Sequence, residues 1–202
     1  MKRLLLILTL IIGYYSFAQD TLMKPMERPK PELRKEYFKI YRIFPIAIGN
    51  NVLAKANDPN GGIGIGVTFY SFEKLHIMGL YEFSSYKVTD PSLAANVENT
   101  NLANLGLEAL YKIPVAKNLC INPKFLVAYM TVTQRAQGNR YGRQEGFGFS
   151  PGFDVDYKIY GAFRVFAGMN YSISFPETHT RDDYRSFFGV LQQLNVQVGI
   201  KF

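Results

Sequence analysis

The feature that most constrains this chain is a period of two. From about residue 43 onward the helical period is absent, and apolar side chains recur at every second position in segment after segment. The closing stretch QLNVQVGIKF (193–202) is the cleanest: Leu194, Val196, Val198, Ile200 and Phe202 fall on one face of an extended strand, and Gln193, Asn195, Gln197, Gly199 and Lys201 on the other. Alternation of this kind predicts strands whose two faces meet different surroundings.

Eight such strands are predicted. The first seven are 43–54, 62–71, 75–88, 102–113, 119–133, 146–159 and 162–175, and the closing strand completes the set. The first places Phe44, Ile46 and Ile48 on one face, with Pro45 near its start predicting a late beginning or a bulge. Longer links (AKANDPN, TDPSLAANVENTN, RAQGNRYGRQE and PETHTRDDYRSFFGVLQ) alternate with short ones (EK, PVAKN and a tight turn at Tyr160 and Gly161). That is the pattern of an antiparallel meander with all its long loops at one end. A soluble sandwich also alternates, so period alone does not decide between the two. Mid-strand charges and crowded glycines on the polar face favour a narrow closed barrel filled by its own side chains. Outward aromatics support the same choice, because Tyr111, Tyr157, Phe163 and Phe202 fall beside the short turns and Phe83, Tyr129, Phe147, Tyr171 and Phe175 nearer the long loops. The fold class is therefore all-β, an eight-stranded antiparallel up-and-down transmembrane barrel over 43–202.

Two segments precede it. MKRLLLILTLIIGYYSFA (1–18) has a basic start, an apolar run and a small residue before QD, and is expected to be a secretory signal peptide cleaved after Ala18. Residues 19–42 carry Pro25, Pro29 and Pro31 with seven Lys or Arg against four Asp or Glu, and are expected to form a basic, proline-rich periplasmic segment. The whole chain has 23 basic and 16 acidic residues, a formal charge of +7. In an exported protein such a balance points to anionic lipid, polysaccharide or a partner surface rather than nucleic acid. With Cys120 as the single cysteine, no intramolecular disulfide is possible.

A signal peptide, eight amphipathic strands and a terminal aromatic together resemble the small eight-stranded outer-membrane β-barrels of Gram-negative bacteria, the broad OmpA-like and OmpX-like class. The resemblance is architectural. It implies an outer-membrane location, contact with outer-membrane lipid and lipopolysaccharide, and a terminal strand read by the barrel assembly machinery, with Val198, Ile200 and Phe202 as the signal.

The candidate sites follow from the inward face. Glu82, Glu108, Lys124, Asp154, Asp156 and Arg164 project into the lumen with His76, and buried charges must be paired. A salt-bridged plug is expected, with Asp156 facing Arg164 and Glu108 facing Lys124; a narrow pore is the alternative. GGIGIG (61–66) continues directly into a strand, so it lacks the helix that a phosphate-binding glycine loop requires. Two separated histidines and one cysteine argue against a structural zinc site, and no cofactor is expected. A lipid A-modifying enzyme is the alternative, drawing on His179 with Ser186 and Asp182 or Asp183, but that set lacks supporting spacing, so no enzymatic activity is expected. Arg135, Arg140 and Arg143 surround Tyr141 in the third long link, where they would suit lipopolysaccharide phosphates or an acidic partner. The expected role is that of a monomeric structural or interaction protein of the cell envelope, with residues 19–36 as a docking segment for an envelope protein complex.

Overall fold

The computed structural model describes residues 38–94, 97–178 and 187–202. The expected signal peptide, the docking segment 19–36 and the set His179, Asp182, Asp183 and Ser186 lie outside the described residues. The strands are β1 (Phe38–Ile48), β2 (Asn57–Phe72), β3 (Leu75–Val88), β4 (Asn99–Tyr111), β5 (Ile113–Ala116), β6 (Leu119–Ala136), β7 (Asn139–Tyr160), β8 (Phe163–Pro176) and β9 (Leu191–Lys201). Two short helices, α1 (Val52–Ala56) and α2 (Pro91–Ala94), occupy the links after β1 and β3. β4 and β5 both pair with β6 and form one wall segment interrupted at Lys112, so the described residues build an eight-stranded wall. Every neighbour is antiparallel, and β1 pairs with both β2 and β9, which closes the cylinder.

The register fixes the geometry. Stepping across the ladders from Phe38 leads through Val67, Gly79, Leu107, Val127, Phe149, Ile173 and Gln192 back to β1 at Ile48, ten residues along. A shear of ten, at about 3.3 Å per residue over eight strands about 4.8 Å apart, tilts the strands by roughly 40°. In a cylinder this narrow each inward residue needs a place among its neighbours, and glycines provide it. A Cβ on Gly64 would strike the Tyr41 ring, and one on Gly168 would strike the Asp154 carboxylate.

The outward face is an apolar belt. Ile63, Ile65, Leu105, Leu107, Val127, Phe149, Val196 and Val198 are all exposed, bounded by Phe72, Tyr111, Tyr157, Phe163 and Phe202 toward the short turns and by Tyr129, Phe147 and Phe175 toward the long links. A contiguous apolar band around the full circumference, framed by aromatic rings, is the surface a bilayer solvates and water does not. Among the described residues no helix is long and apolar enough to cross a membrane, so crossing falls to the strands. The closed eight-stranded transmembrane barrel read from the period is the observed fold.

Several local expectations need correction. β1 begins at Phe38, so 38–42 belong to the barrel and not to the proline-rich segment; Pro45 lies inside the strand, in unbroken register with Asn195 of β9. The charges of Lys39 and Arg42 hid the alternation there. The third long link is not a loop. β6 and β7 run on as a paired ribbon to a two-residue turn at Gln137 and Gly138, with φ of 47° and 76°. Positive φ at both central residues matches the twist of the flanking strands, the usual solution for a two-residue hairpin. Alternation along 62–71 puts Tyr70 with the inward glycines, but it points outward, because a bulge between Thr68 and Tyr70 shifts the face by one.

Candidate functional site

The lumen has two layers with different chemistry. Toward the short turns it is ionic. Lys39, Lys112, Lys124, Arg164 and Lys201 are buried together with Glu82, Glu108, Asp154 and Asp156, five cations to four acids among the described residues. The centre is Asp154 on β7, whose Oδ1 lies 2.6 Å from Lys124 Nζ and whose Oδ2 lies 3.2 Å from Lys39 Nζ and 3.1 Å from Lys201 Nζ. Glu108 bridges Lys39 at 3.1 Å and Lys124 at 3.7 Å, while Asp156 takes Lys201 at 2.8 Å. Lys39, Lys124 and Lys201 stand on β1, β6 and β9, so the network ties distant parts of the wall to one carboxylate.

Aromatic and amide groups complete the shell. Lys39 Nζ lies 4.7 Å from the Tyr41 ring centroid and 5.0 Å from that of Phe166, and Lys201 Nζ lies 4.6 Å from Phe166. Ring faces attract ammonium groups most strongly where water is excluded. The Tyr41 hydroxyl donates to Glu82 at 2.7 Å, Gln197 Nε2 donates to the same carboxylate at 3.0 Å, and Lys124 donates to Gln197 Oε1 at 2.5 Å. Each acid is therefore met by donors from at least two strands or by an ammonium at contact distance, which is what makes buried ions tolerable.

Toward the long links the charges give way to an apolar cluster set among uncharged polar groups such as Ser84, Thr100, Ser174 and Gln193. Leu53 of α1, fully buried, packs with Tyr86, Leu102, Met130, Val132 and Leu191. Beyond it Ala56, Val88, Ala94, Val97 and Ala136 form a second small cluster. α1 is fixed at its start by Asn51, whose side chain accepts from the Ala54 N–H at 3.1 Å and donates to the Ile48 carbonyl at 2.7 Å. One apolar stopper thus sits over one ionic layer.

The structure brings Glu82, Glu108, Lys124, Asp154, Asp156 and Arg164 together on the inward face. It does not set Asp156 opposite Arg164: in register Asp156 faces Phe166 and Arg164 faces Lys158, because the turn falls at Gly161 and Ala162 with a bulge between Lys158 and Tyr160. Sequence reasoning missed Lys39 and Lys201, the two ammoniums on the far side of Asp154. Lys201 was visible on the polar face of the last strand; Lys39 required knowing that β1 starts at Phe38. His76 is buried near the short turns, where its Nδ1 lies 2.9 Å from the Ser71 hydroxyl, its partner in the β2–β3 ladder. A serine held at Nδ1 inside a ladder is a structural bond and lacks the acid–base order of a nucleophilic triad. Arg135 and Arg140 are exposed and directly opposed across the ribbon, and Arg143 pairs with Glu145 at 2.6 Å. Among the described residues no group of three metal-ligating side chains converges.

These features define a class: a closed, eight-stranded transmembrane barrel with a network of inward charges beneath an apolar stopper. Solved barrels share the fold. The chain resembles neisserial surface protein A (NspA) with a TM-score of 0.57 at 16% identity, over 82% of this chain and 95% of that one. It also aligns with a major outer membrane protein from Thermus thermophilus (TM-score 0.49, 10% identity, 84% and 100% coverage) and with the N-terminal β-barrel domain of Pseudomonas aeruginosa OprF (0.47, 13%, 83% and 100%). No family model and no curated protein matches the chain.

Proposed function

We propose that this chain is an outer-membrane barrel of a Gram-negative bacterium whose work lies in its wall and its projecting segments, as a structural or interaction protein, and not in transport or catalysis. The observation that supports this best is the double closure of the lumen. An ion entering from the short-turn side meets Asp154 already held by three ammoniums, and beyond it the cluster around Leu53 fills the lumen, its Tyr86 hydroxyl already committed to Gln193. Reconstituted in planar bilayers, the protein is expected to give a flat current trace; reproducible unitary steps from folded protein would overturn the plug and favour the narrow pore.

Two interacting parts are then proposed. The ribbon of β6 and β7 carries Arg135 and Arg140 side by side, and like charges so placed repel unless an anion sits between them. Lipopolysaccharide phosphate or an acidic surface partner satisfies that requirement, with Arg143 close by. The basic segment 19–36 is the second expected contact, for an envelope complex, and copurification from native membranes with and without that segment tests it. Assembly itself is assigned to the last strand. Phe38 and Phe202 exchange both backbone bonds, at 2.9 and 3.0 Å, and their rings lie 5.4 Å apart, so the final residue helps close the cylinder. Replacing Phe202 by Ala, with Val198 and Ile200 kept, is expected to lower the amount of heat-modifiable barrel in the outer membrane several-fold while barely changing the stability of barrel refolded in detergent. Equal membrane levels of variant and wild type would remove the assembly role.

A further inference from the structure

The belt holds one exception. Among the described residues Arg42 is the single charged side chain on the outward face between the two aromatic rims, exposed between Ile40 and Phe44 along β1 and flanked in register by Ile63 and Val198. Val198 lies four residues from Phe202 and six from Gln192, so Arg42 stands near mid-height of the hydrocarbon band. An arginine at that depth on a barrel's lipid face costs about 2 to 4 kcal/mol. Ionisable groups kept in such places serve a ligand or a partner.

The wall around Arg42 is itself unusual. β1 and β2 are paired only from Phe38↔Val67 to Ile43↔Gly62; above that, toward the long links, β1 continues to Ile48 beside β9 alone. Since Phe38 exchanges both bonds with Phe202 of β9, the odd-numbered residues of β1 turn their backbone groups toward β2. Above Ile43 these are Pro45, which has no N–H, and Ala47. The seam therefore opens where proline has removed the donor that a continuing ladder would need. On the opposite bank, β2 is irregular between Pro59 and Gly61, and Gly61 adopts φ of +98°. A Cβ on Gly61 would come within 2.8 Å of Arg42 Nη2, so the guanidinium rests where a side chain would otherwise be, and it donates to the Asn60 carbonyl at 3.4 Å. Among the described residues this one long bond engages a single one of its five donors. The result is a polar notch cut into the belt, with a seated arginine at its base and its opening toward the long links.

We propose that this notch binds a phosphate of an outer-leaflet glycolipid. Planar, forked donors suit phosphate, and a phosphate reaching down the seam neutralises the one charge that hydrocarbon surrounds. A second copy of this chain does not supply the counter-charge from its own belt, since that surface presents no Asp or Glu between the rims among the described residues. Asp58 at the upper edge of the notch stands opposite Lys87 in the β2–β3 ladder, so the rim does not repel an anion on balance. The inference rests on the proposed outer-membrane setting with the long links outward.

The test uses full-length protein and R42Q in phosphatidylcholine nanodiscs containing lipid A with both phosphates, dephosphorylated lipid A, or phosphatidylglycerol, followed by gentle extraction and native mass spectrometry. Wild type is expected to retain one phosphorylated lipid A, R42Q about tenfold less at equal dose, and neither variant the dephosphorylated form. R42K, keeping the charge without the fork, falls between. R42Q removes a charge from hydrocarbon and inserts at least as well as wild type, which the heat-dependent gel shift checks. Equal retention by wild type and R42Q, or retention that ignores the phosphates, overturns the site; preference for phosphatidylglycerol overturns the glycolipid assignment. Failure of wild type to insert into any bilayer overturns the membrane setting itself and this inference with it.

Discussion

Asp154→Asn is expected to lower the unfolding free energy of the barrel by about 3 to 5 kcal/mol, measured by urea titration in lipid vesicles. The substitution preserves size, removes the charge and turns one acceptor oxygen into an NH2 donor. It leaves the ammoniums of Lys39, Lys124 and Lys201, at 3.2, 2.6 and 3.1 Å from the carboxylate, around a neutral amide. Lys39 and Lys124 keep Glu108, and Lys201 keeps Asp156, so the loss is that of the shared centre rather than of every pair. Because the three lysines then repel one another in a buried site, Lys124→Met in the Asp154→Asn background is expected to restore part of the stability, although Lys124→Met alone is destabilising. That sign reversal is the mark of coupling. Additive effects of the two substitutions would show that Asp154 does not organise the network.

Leu107→Arg carries the second large effect. Leu107 is 56% exposed, lies midway along β4 between Tyr111 and Asn101, and has Val127 beside it in register. In a bilayer the guanidinium meets hydrocarbon, and a loss of about 2 to 4 kcal/mol is expected. A surface leucine facing water would accept the same change within about 0.5 kcal/mol. Unfolding of Leu107→Arg in vesicles, with the loop-side Thr133→Arg as control, separates the cases: a neutral Leu107→Arg would mean that the belt is not in lipid. The comparison also sets a scale for Arg42, which bears the same cost in the native protein unless an anion meets it.

How much of this was legible beforehand depended on the range of the forces involved. The outward face of β9 could be read residue by residue, since the sign of each side chain's environment alternates with the backbone itself. The same holds for the inward positions of Glu108, Lys124 and Asp154. β1 was misplaced because Lys39 and Arg42 obey the pleat but break the hydrophobic count, one turned into an ionic lumen and the other into a notch. The ribbon tip is not legible in the sequence because polar residues on both faces of a strand beyond the membrane carry no period; only the positive φ of Gln137 and Gly138 shows the chain turning within two residues.

Local alternation by itself determined that the chain forms amphipathic strands, because a two-residue period is a property of each strand alone; the mid-strand charges, glycines and aromatic rims of the same sequence then turned the oily side outward. Which lysine meets which acid, why Asp154 and not Asp156 sits at the centre, where α1 lodges Leu53, and where β1 parts from β2 were decided only on closure. A shear of ten brings residues more than a hundred positions apart, such as Lys39 and Asp154, to one height in the lumen. No interval along the chain encodes that height, since it is the sum of every register around the ring.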